Sequence, residues 1–336
     1  MVTSLMNGVE DKMEVETTRP KWRDDPAESF SDWKIEIVVE EGDSKYSQIY
    51  HVHKTFLAHG PRRCEYFTKL LRSEEVFKEN HSGISQITLD PLSAKAFPIL
   101  LDYVYGFNHS ITTETATALD YLGDYFGNSE LQTFSIQFGY KDMSLDNVHV
   151  YYAHAEELCN EVIMDVIYMF LKKHINNVLP THPIVECSNP HLWTIVLGVS
   201  TIRRFERISI FLYDSYPLAR VIEKVCKRHK DTLDIATFAA LTDLLISVPP
   251  SIALSFLELI TQFGDSEEAE TLLGLFKVRC MSSITRGWEA LLHLDDEQLG
   301  ILKQKSPEFL LDLMLKSLKE ASLDLQQAMR RAEGDY

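Results

Sequence analysis

Cysteine is scarce in this chain: five in 336 residues. Cys64, Cys159, Cys187, Cys226 and Cys280 lie far apart, odd in number and without a Cys-x-x-Cys pair. That pattern excludes a disulfide framework and a cysteine-held zinc site, and it favours free thiols in a reducing compartment. Glycine and proline are also sparse, 14 and 12 residues, so the chain is neither fibrous nor low-complexity. Basic charge is in the minority, 33 Lys and Arg against 50 Asp and Glu, for a net charge of -17. A field of that sign repels phosphate backbones and anionic lipid, so nucleic acid is not expected as a partner. Residues 203–230 run against the trend, with eight basic residues against three acidic, and read as a solvated helix face. Long hydrophobic runs are missing as well. The most apolar stretch, residues 237–263, is broken by Asp243, Pro249, Pro250 and Glu258, whereas a membrane span needs about 20 largely unbroken apolar residues. Residues 1–20 lack the apolar centre of a signal peptide. The expectation is a cytoplasmic or nuclear protein without a membrane segment, in which the sequon at Asn108 is accidental.

The chemistry-bearing motifs are missing too. No Gly-rich phosphate loop, Gly-x-Ser-x-Gly elbow or His-Glu-x-x-His helix is present. Gly198 to Ile202 lacks the second glycine of a nucleophile elbow. His51 and His53 place two imidazoles on one face of an expected strand, but a closed zinc site needs four ligands and no others follow in sequence. Both read as packed or hydrogen-bonded histidines, as do His149 and His154. Acidic pairs such as Glu267-Glu268 and Asp295-Asp296 stand where helix starts are expected, and the helix dipole explains them. The chain is therefore read as a non-enzyme, with no cofactor and no metal.

What is there is an ordinary globular composition, 45% hydrophobic and 25% charged, in a length that suits two domains. Residues 1–29 are polar, acidic and aperiodic, and read as a disordered leader. From Phe30 the pattern changes. Residues 34–39 alternate and then turn apolar, residues 41–44 supply a turn and residues 48–53 return, which predicts a hairpin, with a third strand at 84–89. Helices are predicted over 54–58, 63–72, 93–105, 113–126 and 129–138. Three short strands among about five helices define an α+β unit.

After Tyr140 the strand signal stops. Helices are expected over 144–155 and 157–175, then a proline-punctuated linker at 180–190. Further helices follow at 192–201, 205–213, 217–228, 235–246, 251–263, 268–279 and 297–305, and a last one opens at Ser306-Pro307. That last helix carries Leu311, Met314, Leu318, Ala321, Leu325, Ala328 and Ala332 at alternating three- and four-residue spacings. The seam spans only about three heptads and is rich in alanine, which favours docking on preceding helices over a coiled coil.

Asp32-Trp33-Lys34-Ile35-Glu36-Ile37, then Tyr50-His51-Val52-His53-Lys54-Thr55-Phe56-Leu57-Ala58, then Tyr66-Phe67, then Ile87-Thr88-Leu89, then Phe97 to Tyr105 resembles the BTB/POZ family in order and spacing. Each piece alone is weak; their succession is specific. Ser144 to Ala153 and Cys159 to Ile175 are similar to the helical pair called the 3-box, which opens a BACK-type region. The resemblance implies a BTB/POZ domain at 30–140, a 3-box/BACK-like pair at 141–180 and an all-α region of helical pairs at 181–332.

Function then follows from the resemblance as an expectation. It implies a protein-interaction adaptor that recruits a substrate to a cullin-RING ubiquitin ligase, or else a homo-oligomeric BTB scaffold that binds no cullin. Asp32 and Lys54 match the family's charged pair near its dimer interface. Cullin-binding members of the MATH type carry a hydrophobic-x-Glu triplet, and here the matching residues are Phe97-Pro98-Ile99, with Ile99 in place of the Glu. The implied cullin-facing surface is Phe97, Ile99, Tyr103, Tyr105, Val148 and Tyr152.

Overall fold

A computed structural model describes residues 20–42, 44–73, 77–198, 216–243, 245, 248–264, 266–286, 300 and 307–334. It resolves into two compact units, residues 1–166 and 167–336.

The first unit is built on a hairpin. β1 (Trp33–Glu41) and β2 (Ser44–Val52) pair antiparallel from Trp33 opposite Val52 to Glu41 opposite Ser44. β3 (Ile84–Leu89) joins the other edge of β1 in parallel, from Lys34 beside Ile84 to Val39 beside Leu89, so the strand order is β2-β1-β3. The predicted alternation holds where the sheet meets the core: Trp33, Ile35, Ile37 and Val39 on β1, and Ser85, Ile87 and Leu89 on β3, are buried. The Trp33 indole donates to the Ser85 hydroxyl at 3.0 Å. A buried indole N–H needs such a partner.

Helices cover that face. α1 (Pro26–Ser29) precedes the sheet, and α2 (Lys54–Ala58), α3 (Glu65–Arg72) and the short α4 (Lys78–Ser82) connect β2 to β3. α5 (Pro91–Tyr105) opens on Asp90, whose carboxylate accepts from Ser93 N at 2.8 Å with Pro91 at the first helical position, and closes on Gly106 at φ 76°. Asp90, not Ser93 at the expected start, caps the helix, with Pro91 at its first position and glycine at its end as helix geometry favours. α6 (Thr113–Tyr125) and α7 (Ser129–Asp142) follow as an antiparallel pair. They approach so closely that a Cβ on Gly123 would lie 2.9 Å from Gln132 N. α8 (Val148–Glu157) packs on α6. α9 (Glu161–His174) is capped by Asn160, which accepts from Ile163 N at 2.9 Å and donates to the buried Asp120 at 2.7 Å. One aromatic chain ties this core together: Tyr50 to Phe97 at 5.1 Å, Phe97 to Phe126 at 5.8 Å and Phe126 stacked on Phe67 at 5.4 Å.

The described elements of the second unit are all helices joined by turns. A 3-10 turn (Ile175–Asn177) leads to α10 (Pro183–Cys187), α11 (Pro190–Val196), α12 (Tyr216–Arg228), α13 (Ile235–Asp243), α14 (Pro250–Thr261), α15 (Glu267–Arg286) and α16 (Pro307–Gly334). Phe238, Phe256 and Phe276 form its centre, with Phe256 and Phe276 at 5.2 Å.

Four expectations need correction. Residues 20–29, read as the end of a disordered leader, are ordered against the first unit, because Trp22 and Arg23 make specific contacts that no periodic pattern announces. The linker at 180–190 contains α10, with Ile184 and Val185 buried; three prolines concealed a helix that starts on one of them. α4 went unpredicted, since its five residues carry no apolar repeat. On α16, which packs on α15, Leu313 is buried among the described side chains, while Met314, Leu318 and Leu325 of the supposed seam are exposed. The helices predicted at 205–213 and 297–305 lie outside the described residues, apart from Gly300.

Candidate protein-interaction site

A shallow groove of about 440 Å³ lies on the first unit between α3, the α6–α7 turn and the segment entering α4. Helical spacing puts Tyr66, Lys69 and Leu70 on one side of α3. The facing wall is Asp124, Tyr125, Phe126 and Gly127, and Phe77 and Glu79 close one end. The turn is held tightly. Gly127 has φ +66°, and a Cβ there would sit 2.9 Å from the Glu65 Cβ, so only glycine lets the turn close on α3. Tyr66 N donates to the Phe126 carbonyl at 3.1 Å. Asn128 caps α7 through Leu131 N at 3.0 Å and donates to the Arg62 carbonyl at 2.9 Å, binding the turn to the start of α3.

The walls are aromatic. Tyr66 and Tyr125 stand 6.2 Å apart, Tyr121 and Tyr125 6.3 Å, and Phe126 meets Tyr66 edge-on at 5.6 Å. Burial pushes the Tyr66 hydroxyl above its ordinary value, with Tyr125 and Glu79 adding to the effect, so it stays a neutral donor. The rim holds Glu65, Glu79 and Asp124 against Lys69, and Glu65 is itself paired with Arg63 at 3.0 Å. Such a groove suits an apolar or aromatic side chain accompanied by positive charge.

The described residues bring no catalytic set together. None of their His, Cys, Asp and Glu form a group of three or more that could hold a metal ion. Cys64, Cys226 and Cys280 are buried, and burial pushes each thiol up to about 12, far from the thiolate that nucleophilic chemistry needs. His53 has both ring nitrogens engaged, Nε2 with the Ser29 carbonyl at 2.5 Å and Nδ1 with the Tyr105 hydroxyl at 2.9 Å, while His51 is half-buried on β2. None of the described helices is long and apolar enough to cross a membrane.

The residues implied by resemblance fall elsewhere. Asp32 meets Lys54 through its backbone, accepting from Lys54 N at 2.8 Å at the start of α2. The Lys54 ammonium lies over the Trp33 ring at 4.8 Å. This pair organises the sheet-to-helix corner. The implied cullin-facing surface is corrected: Phe97, Tyr103, Tyr105, Val148 and Tyr152 are buried, and only Ile99 is half-exposed. Phe97 lies between Tyr50 and Phe126; the Tyr103 hydroxyl donates to Glu130 at 2.7 Å; Tyr105 stacks on Phe56 at 4.4 Å; the Tyr152 hydroxyl donates to Glu156 at 2.6 Å. For Phe97, Tyr103 and Tyr105 the reason is the composition of α5, apolar on nearly every side, as a central helix must be; Val148 and Tyr152 lie on the inner face of α8, which packs on α6. Motif spacing locates a residue along such a helix but not the side it faces. The groove residues Phe77, Glu79, Asp124 and Tyr125 escaped sequence reading, although Tyr121-x-x-x-Tyr125 followed by Gly127-Asn128 is a usable signal for an aromatic helix end beside a tight turn.

Residues 27–142 match the BTB/POZ domain family. The sheet, its covering helices and this match make that part of the chain a BTB/POZ domain, a protein-interaction module. The match ends before the helices that resemble the 3-box and BACK-like pair. A search of curated proteins finds no match to the chain.

Proposed function

We propose that this chain is a protein-interaction adaptor whose BTB/POZ domain engages the N-terminal helices of a cullin through the groove of Tyr66, Leu70, Phe77 and Tyr125, while the C-terminal helices hold a substrate for ubiquitination. The observation that carries the reading is the pairing of aromatic walls with an acidic rim in this groove. The cullin as occupant comes from the family resemblance, and the groove takes the place of the buried α5 and α8 residues. Calorimetry of the full chain with a cullin N-terminal fragment tests it. Tyr125→Ala should weaken binding at least tenfold, and Asp124→Lys should weaken it further at low salt. Absence of binding by the wild-type chain removes the cullin from the proposal.

A second reading, a homo-oligomeric scaffold, is favoured by the outer edge of β2. Among the described strands β2 pairs only with β1, and Tyr46 and Ile49 are exposed on it. Unpaired edges invite a further strand. Light scattering of wild type and Ile49→Lys at tens of micromolar separates the readings, since a dimer dissolved by Ile49→Lys places the self-association there.

A further inference from the structure

Asp102 is a buried carboxylate on α5. Its side-chain partners belong to a segment preceding the BTB/POZ match: the Trp22 indole donates to Oδ1 at 3.0 Å, and the Arg23 guanidinium grips both oxygens, through Nη1 to Oδ1 and through Nη2 to Oδ2 at 2.8 Å. The same two residues form a stack. Arg23 lies over the Trp22 ring at 4.1 Å, and Trp22 meets the buried Tyr50 edge-on at 5.6 Å. Without them the domain would present an unpaired carboxylate beside an aromatic wall, an arrangement that is costly when empty and selective for a planar, bidentate cation joined to an aromatic ring.

The segment that fills this recess is lightly attached. Residues 24–28 are exposed, and α1 satisfies itself locally, with Asp25 accepting from Ala27 N, Glu28 N and Ser29 N. No backbone ladder joins residues 20–29 to the sheet. The second anchor is the Ser29 carbonyl on His53. Beside it Phe30 adopts φ 57°, ψ 36°, a left-handed conformation that is uncommon for a bulky residue, and the residue is 84% exposed. Release of the anchors lets Phe30 relax. The attachment thus consists of two side-chain clasps and opposes a strained backbone, which distinguishes it from an integral strand or helix.

We propose that Asp102 and Tyr50 form a binding site for an aromatic–arginine peptide segment, that Trp22 and Arg23 fill it in cis, and that residues 20–30 are thereby a releasable strap. A partner carrying an exposed aromatic residue followed by Arg competes with the strap for the site. The site shares no residue with the groove and stands whether or not a cullin binds there.

Fluorescence polarisation with a labelled peptide of residues 20–30 and the full-length chain tests the proposal. Wild type should bind weakly, because the tethered strap competes at an effective concentration on the order of millimolar. The double variant Trp22→Ala, Arg23→Ala should bind at least tenfold more tightly, and adding Asp102→Asn should reverse that gain. A natively folded double variant that binds the peptide no better than wild type overturns the proposal. If the double variant does not fold, a protease site inserted after Asp24 in the otherwise native chain decides the matter. The severed N-terminal piece should stay bound and be displaced by excess synthetic peptide; immediate loss, or retention against excess peptide, overturns it.

Discussion

In the BTB/POZ unit the core is laced with directed polar contacts: Trp33 to Ser85, His53 between Ser29 and Tyr105, Asn128 to Arg62 and Leu131, Asn160 to Asp120. In the C-terminal unit the centre is a phenylalanine cluster of Phe238, Phe256 and Phe276 flanked by aliphatic residues, and its polar ties lie outside that cluster, as between Glu186 and Arg228 at 2.9 Å or Trp193 and Ser188 at 2.9 Å. The outer faces differ as well. α15 and α16 leave Leu275, Val278, Leu318 and Leu325 exposed, whereas the large exposed apolar groups of the first unit are scattered over several elements, among them Phe30, Ile49 on β2, Phe77 and Tyr125 at the groove, and Phe134 on α7. Directed contacts demand particular residue types at particular positions, so a family signature survives in the sequence. Apolar packing accepts many substitutions of similar volume, so the helical region carries a fold without a readable signature.

The sharpest test of this contrast is Phe97→Ala in the first unit beside Phe256→Ala in the second. Both side chains are fully buried, and each truncation should cost about 3–5 kcal/mol, read as denaturant midpoints or as hydrogen exchange within each unit. If Phe97→Ala leaves stability unchanged while weakening a partner's binding, Phe97 belongs to a contact surface and not to the core.

Asn128→Ala should come next, at about 1–2 kcal/mol, because it removes a helix cap and frees the partly buried carbonyls of Arg62 and Arg63 in one step. No substitution of a single polar residue within the phenylalanine cluster has an equivalent, so an equal loss from Thr242→Val in the second unit, where the hydroxyl donates to the Phe238 carbonyl at 2.9 Å, would blunt the contrast.

A smaller effect, with a sign that depends on pH, is expected at Asp120. Burial holds its carboxyl above the usual range, opposed by the hydrogen bond from Asn160. The folded state therefore keeps the proton more tightly than the unfolded chain. The resulting stabilisation is full below the unfolded carboxylate value of about 3.9 and is lost as pH rises through the folded one. Asp120→Asn, neutral at every pH, should exceed wild type in stability at pH 7 and lose that advantage as the pH falls through the raised folded value towards about 4. Urea midpoints at the two pH values check this, and a constant difference would refute it.

The least effect is expected from Leu275→Gln on α15, within about 0.5 kcal/mol. A larger loss of stability would mean that this face is covered in the protein, and the two units would then differ less than their exposed surfaces suggest.

Much of the first unit was legible because its strands alternate on one buried face and its helices announce their ends: Asp90-Pro91 and Gly106 around α5, Thr112 and Thr115 at α6, Asn128 at α7. The candidate site was legible only in fragments. Tyr66 was seen as part of an apolar stripe, but its neighbours Phe77 and Tyr125 come from segments distant in sequence, and a groove is a property of their meeting. α5 shows the same limit in reverse: its residues are recognisable as a motif, yet which of them face solvent depends on the helices packed around it.

By itself, then, the amino-acid sequence determined the element types, the hairpin and third strand, and the α+β unit followed by helices. These follow from local periodicity, capping and composition, which act over a few residues. The tertiary structure alone decided that Phe97, Tyr103, Tyr105, Val148 and Tyr152 are core, that Asp32 serves a helix start, that Trp22 and Arg23 clasp Asp102 across some eighty positions, and that an aromatic groove opens beside Gly127. Burial and side-chain pairing are set by what packs from elsewhere in the chain, and no window of neighbouring residues contains that information.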